Sequence, residues 1–95
     1  MDKWFRAITQ SQPRVIFRVP EGHKETVELR LHVPKEKPDG NKNPLIFVSP
    51  GVEPKIFGGL PLPFDTIYPI FLEPGDELWA LSTGEGLIGA VRVLK

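Results

Sequence analysis

The stretch from Phe71 to Lys95 leaves this chain few folds to choose from. It holds an apolar run, the turn Glu73-Pro-Gly-Asp76, the strand-like Glu77-Leu-Trp-Ala-Leu-Ser82, a glycine-rich turn and a last run ending Val-Arg-Val-Leu-Lys95. Pro74 at the second turn position and Gly75 at the third fit a type II turn, whose third residue takes positive φ. Two turns so closely spaced predict an antiparallel, all-β meander.

Strict alternation marks further strands. In Thr26 to Val33, Val27, Leu29, Leu31 and Val33 point one way and Thr26, Glu28, Arg30 and His32 the other, the pattern of a half-buried antiparallel strand. Arg14 to Val19 repeats it, with Val15, Phe17 and Val19 inward. The polar Pro20-Glu-Gly-His-Lys24 between them predicts a hairpin loop and a direct pairing of the two strands. The run from Lys35 to Pro44 is polar, contains Pro-Asp-Gly and is expected to be a solvated, disordered tip. Leu45-Ile-Phe-Val48 is a short apolar run, expected as a strand covered on both faces.

Ile56 to Phe64 is apolar but broken by Gly58, Gly59, Pro61 and Pro63, so it is expected as an extended arm or ordered loop. Pro69 confines the strand Thr66 to Leu72 to a sheet edge or a bulge. Residues 1–12 are expected as an N-terminal extension or arm, and residues 13–95 as a single β-domain. The fold class expected is all-β, a small antiparallel β-sandwich or partly closed barrel of about six or seven strands. Phe17, Phe47, Phe71 and Trp79 are its expected core anchors, whereas Trp4 and Phe5 need cover from their own subunit or from a neighbour.

A chain of 95 residues builds one thin core, burying roughly 60 to 70% of the unfolded surface. It has no cysteine, so no disulfide or thiolate metal site reinforces that core. The start of the chain shows no signal-peptide pattern and no apolar run has the length of a membrane-spanning helix, so folding in the cytoplasm is the expectation. Twelve basic and twelve acidic residues balance, which argues against a partner bound by neutralising many phosphates. The charge is uneven along the chain, positive before residue 45 and negative after it, and the simplest expectation is that the two halves meet inside one fold.

Groups for catalysis are scarce. His23 and His32 lie nine residues apart, a spacing that fits no metal site, and both read as surface histidines. Asp76 and Glu77 are adjacent and face opposite ways on a strand, so they cannot share acid-base work. Asp65, Glu73 and Asp76 flank turns without a calcium-loop pattern, and Asp76 is expected to bond turn amides. Gly58, Gly59, Gly84, Gly86 and Gly89 form no phosphate-cradling loop. The expectation is a non-enzyme with neither cofactor nor metal.

One ordered set of residues resembles a known group. Pro44-Leu-Ile-Phe-Val48, then Gly59-Leu-Pro-Leu62, the strand Ile67 to Leu72, Glu73-Pro-Gly-Asp-Glu-Leu-Trp-Ala-Leu-Ser82 and Val91-Arg-Val-Leu94 resemble small tailed-bacteriophage virion proteins over Leu45 to Lys95. The chain differs from that pattern in Pro61, Pro63 and Pro69 and in its basic-leaning first half. The resemblance implies a virion structural protein, a capsid decoration or cement subunit or another head-associated or fibre-base protein, made in the host cytoplasm. Its implied partners are copies of itself, a trimer foremost, and the major capsid protein, with neither nucleic acid nor membrane involved. Trp4, Phe5, Ile56, Phe57, Leu60, Leu62 and Phe64 are the expected assembly interface. The alternative is a small glycan-binding or host-adhesion module, for which Trp4, Trp79 or Tyr68 must lie exposed beside polar groups. A minimal cupin-like enzyme is disfavoured by the lack of a histidine cluster.

Overall fold

The computed structural model describes residues 4–51 and 59–93. Among them lie eight strands and no helix: β1 (Trp4–Thr9), β2 (Arg14–Arg18), β3 (Val27–His32), β4 (Ile46–Pro50), β5 (Leu60–Pro61), β6 (Ile67–Leu72), β7 (Glu77–Ser82) and β8 (Gly86–Arg92). They form two four-stranded antiparallel sheets, a front sheet ordered β1-β8-β3-β6 and a back sheet ordered β2-β7-β4-β5. The expected sandwich is therefore the fold, and no sheet closes on itself to make a barrel.

Connectivity departs from the sequence reading. The turns at 73–76 and 83–85 do not fold hairpins, because β6, β7 and β8 belong to front, back and front sheets in turn. Gly75 takes φ 87°, and the Asp76 amide donates to the Glu73 carbonyl at 3.0 Å, as the type II turn requires. The Glu73 amide donates to Asp76 Oδ2 at 2.9 Å, the turn bond expected of Asp76. That turn is an arch between sheets. Likewise β2 and β3 do not pair: β2 joins β7, while β3 lies between β8 and β6. A loop of five polar residues can bridge two packed sheets as readily as two neighbouring strands, and one-sided burial is common to both arrangements.

The segment expected as an N-terminal extension supplies β1, paired with β8 from Trp4↔Val91 to Thr9↔Gly86. Phe5 and Ala7 pack inward against the core and Phe5 stacks on Phe17, while Trp4, Arg6 and Ile8 face outward. Pro69 sits, as read, on the edge strand β6. Residues 35–43 are a hydrogen-bonded excursion rather than a disordered tip. Glu36 bridges Lys42, the Lys37 amide donates to the Asn41 carbonyl, and Gly40 turns the chain at φ 87°.

The core is aliphatic. Leu29, Leu31, Val33, Ile46, Val48, Leu72 and Leu78 are wholly buried between the sheets. Of the aromatic anchors expected, Phe17 alone packs against this cluster. Phe47 and Trp79 lie on the outer face of the back sheet, and Phe71 is 60% exposed on the front sheet, because their neighbours Ile46, Leu78, Ile70 and Leu72 take the inward positions. A bulge between Val15 and Phe17 turns Val15 out and lets Ile16 reach the core. Oppositely charged halves of the chain meet where Arg18 Nε donates to Glu77 Oε2 at 2.9 Å.

Candidate binding surface on the front sheet

The outer face of the front sheet is built from rows of side chains that the ladder registers set side by side. One row runs Trp4, Val91, Arg30, Pro69, and the next runs Arg6, Gly89, His32, Ile67. Gly89 leaves a gap in the middle of its row. A Cβ there would stand 3.6 Å from Trp4 Cε3 and 3.6 Å from the His32 carbonyl, so the indole is seated beside the bare backbone. The Trp4 and His32 rings meet edge to face, with centroids 6.4 Å apart and planes at 78°.

Above this depression stands the 34–43 excursion. Pro34, Glu36, Lys37 and Pro38 wall one side, and with Trp4, Arg6 and His32 they enclose a cleft of about 490 Å3. A smaller hollow of about 230 Å3 continues past Lys37 and Pro38 toward Ile8. Asn43 holds the wall in place. Its buried amide donates to the carbonyls of Pro34 at 2.9 Å and Leu87 at 2.7 Å, while its Oδ1 accepts the Leu87 amide at 3.0 Å. Lys37 Nζ donates to the Glu85 carbonyl at 3.2 Å, beside the smaller hollow that both residues line. At the excursion's tip, the Asn41 amide donated to Asp39 lowers that carboxyl below its ordinary pKa, favouring the ionised form.

Charge in the cleft comes from Arg6, Lys37 and Glu36, with the His32 imidazole beside them. His32 Nε2 lies 4.0 Å from Asp65 Oδ1, whose residue adopts left-handed backbone at φ 56° and caps the Lys35 amide. His23 sits apart, 3.3 Å from Arg92. Among the described residues no group of three His, Cys, Asp or Glu side chains stands close enough to hold a metal ion.

The residues expected at an assembly interface separate. Trp4 and Leu60 are exposed, Phe5 and Phe64 are partly buried against the core, and Leu62 is buried inside its own sandwich, where it is inaccessible to a partner. Ile56 and Phe57 lie outside the described residues. The uncovered apolar residues concentrate instead on the front sheet, at Trp4 and Ile8 on β1 and at Ile67 and Phe71 on β6. Sequence reasoning missed Arg6, Glu36, Lys37 and Gly89. The signal available was the alternation of Trp4, Arg6 and Ile8 against Phe5 and Ala7, which marks a strand with an apolar-cationic outer face. No known family, curated protein or solved structure matches the chain.

Proposed function

We propose that this protein is a non-enzymatic structural subunit of a bacteriophage virion, a capsid decoration or cement protein or another head-associated subunit, that joins copies of itself and the major capsid protein. The observation carrying this reading is the uncovered apolar flank of the front sheet, where Ile67 is 50% and Phe71 60% exposed beside Pro69. Removing such area from water contributes roughly 25 cal/mol per Å2, and a flank of this kind on a small β-domain suits a docking surface. The resemblance over Leu45 to Lys95 supplies the virion context, and a homotrimer is the assembly it favours.

The test is an Ile67→Ser, Phe71→Ser double variant, whose changes both point away from the core. Light scattering is expected to show a smaller assembly, and purified particles to lose the variant while retaining the parent protein. A folded variant with unchanged mass and unchanged particle retention removes this flank from the interface and defeats the reading.

A second reading, a glycan-binding or adhesion module, is favoured by a different observation. Trp4 is 52% exposed and borders a cleft with polar walls on the opposite flank of the same face. A shallow site with one aromatic platform and several hydrogen-bonding groups suits a sugar ring, which offers apolar C–H faces and polar edges.

A further inference from the structure

The geometry points to an acidic sugar, a pyranose bearing a carboxylate, as the ligand of the Trp4 cleft. This assignment rests on the second reading above and narrows it. The platform is Trp4, whose indole is held edge-on by His32 and borders the side-chain gap at Gly89. The missing side chain lets the indole lie close over the β8 backbone. Two cations, Arg6 and Lys37, line the cleft against the single carboxylate of Glu36. Among the described residues no salt bridge engages any of the three.

The division of labour follows from the chemistry of those groups. Arg6 presents a planar fork of donors suited to a carboxylate, and Lys37, whose ammonium bonds the Glu85 carbonyl, adds positive charge where the cleft meets the smaller hollow. Glu36 is an acceptor only, so it suits sugar hydroxyls and disfavours a ligand with charge all round its ring. The volume of about 490 Å3 falls in the range of small-ligand sites, roughly 300 to 1,000 Å3. The hollow beyond Pro38 is lined by Asp39 and Glu85 beside Lys37, so the carboxylate-bearing ring is confined to the larger cleft.

Trp79 is first changed to Phe, so that fluorescence reports Trp4 alone. Titration then compares a trimannuronate, the neutral mannotriose of the same length, and inorganic sulfate. The trimannuronate is expected to quench Trp4 fluorescence saturably, with mannotriose weaker by about tenfold because it lacks the charge-assisted bonds. An Arg6→Gln, Lys37→Gln variant should bring the two sugars together. Calorimetry on Trp4→Ala should show binding weaker by about thirtyfold, as for loss of a central aromatic anchor. Gly89→Val, which takes the space beside the indole without loading the core, should displace Trp4 and abolish binding while leaving the β-sheet circular dichroism intact. Equal binding of both trisaccharides overturns the acidic assignment and leaves the glycan reading standing. Binding of neither to the folded protein overturns both. Sulfate displacing trimannuronate at equal concentration reduces the site to a cationic patch and overturns the assignment.

Discussion

The two outward faces of this sandwich are made from similar residues and end in opposite conditions. On the back sheet, Val15, Trp79, Leu81 and Phe47 point away from the core, yet only Val15, on an edge strand, is exposed, while Trp79 and Phe47 are half-buried and Leu81 and Ser49 are buried. On the front sheet, Trp4, Ile8, Ile67 and Phe71 point outward and stay half or more exposed. The registers show why. Trp79 lies between Val15 and the small Ser49, and Phe47 between Leu81 and Pro61, so large and small neighbours alternate across the back ladders. Across the front ladders the exposed apolar groups sit at the two edges, while the central strands carry Arg30, His32 and Gly89 beside a buried Val91 and a half-buried Leu87. Large side chains at opposite edges cannot cover one another. Outward apolar residues thus become a self-covered layer or an open surface according to their cross-strand neighbours.

The contrast breaks most visibly if the wall above the front sheet is released. Asn43→Ala removes three hydrogen bonds and strands the buried groups of Pro34 and Leu87, at an expected cost of about 3 kcal/mol. Urea unfolding measures it, and a loss below about 1 kcal/mol would mean that the excursion is not fixed by this amide. The contrast sharpens with a matched pair of truncations, one on each face. Phe47→Ala on the back sheet should cost about 2 kcal/mol and Phe71→Ala on the front sheet no more than about 0.5, since the latter side chain contributes little buried area. Equal losses from the two would erase the distinction between the faces.

The smallest expected effect is a gain. Thr9 ends β1 fully buried, and its hydroxyl has no partner among the described residues; it lies beside Gly86, where a Cβ would come to 2.5 Å from Thr9 Oγ1. Thr9→Val keeps the shape, removes the unpaired donor and should raise stability by about 1 kcal/mol, seen as a higher Tm. A lower Tm would show that the hydroxyl is satisfied after all and that the front sheet carries no such local weakness.

Much of the local structure was legible in the sequence, because it depends on single residues with strong preferences. Gly75 dictated its turn, Pro69 dictated an edge, and the alternation from Val27 to Val33 dictated a strand with one buried face. Strand partnership was not legible. Val27 to Val33 shows the same one-sided pattern whether it pairs with β2 or packs across from it, since a sandwich buries one face of every strand either way. The aromatic anchors were misplaced for a related reason. In Ile67 to Leu72 both faces carry large apolar side chains, so only the pairing of Leu72 with Val27 and Ile70 with Leu29 identifies Phe71 as the outward one. The binding surface was legible in Trp4 and hidden in its surroundings: Glu36 and Lys37 reach it through Asn43, a residue whose role depends on a bond to a strand 44 positions later.

The shuttling of consecutive strands between the two layers has a consequence for how the polypeptide acquires its shape. With β4 and β5 the one exception among the described strands, every ladder joins residues far apart along the backbone, and β1 lies against β8. Among the described strands only the two-residue β4–β5 ladder joins neighbours in sequence, so large loops must close before most backbone bonds form, a topology that slows the search. While β8 is still unmade, β1 has no partner and its apolar residues stand in water, which makes the emerging polypeptide a natural client for whatever shields sticky segments during synthesis.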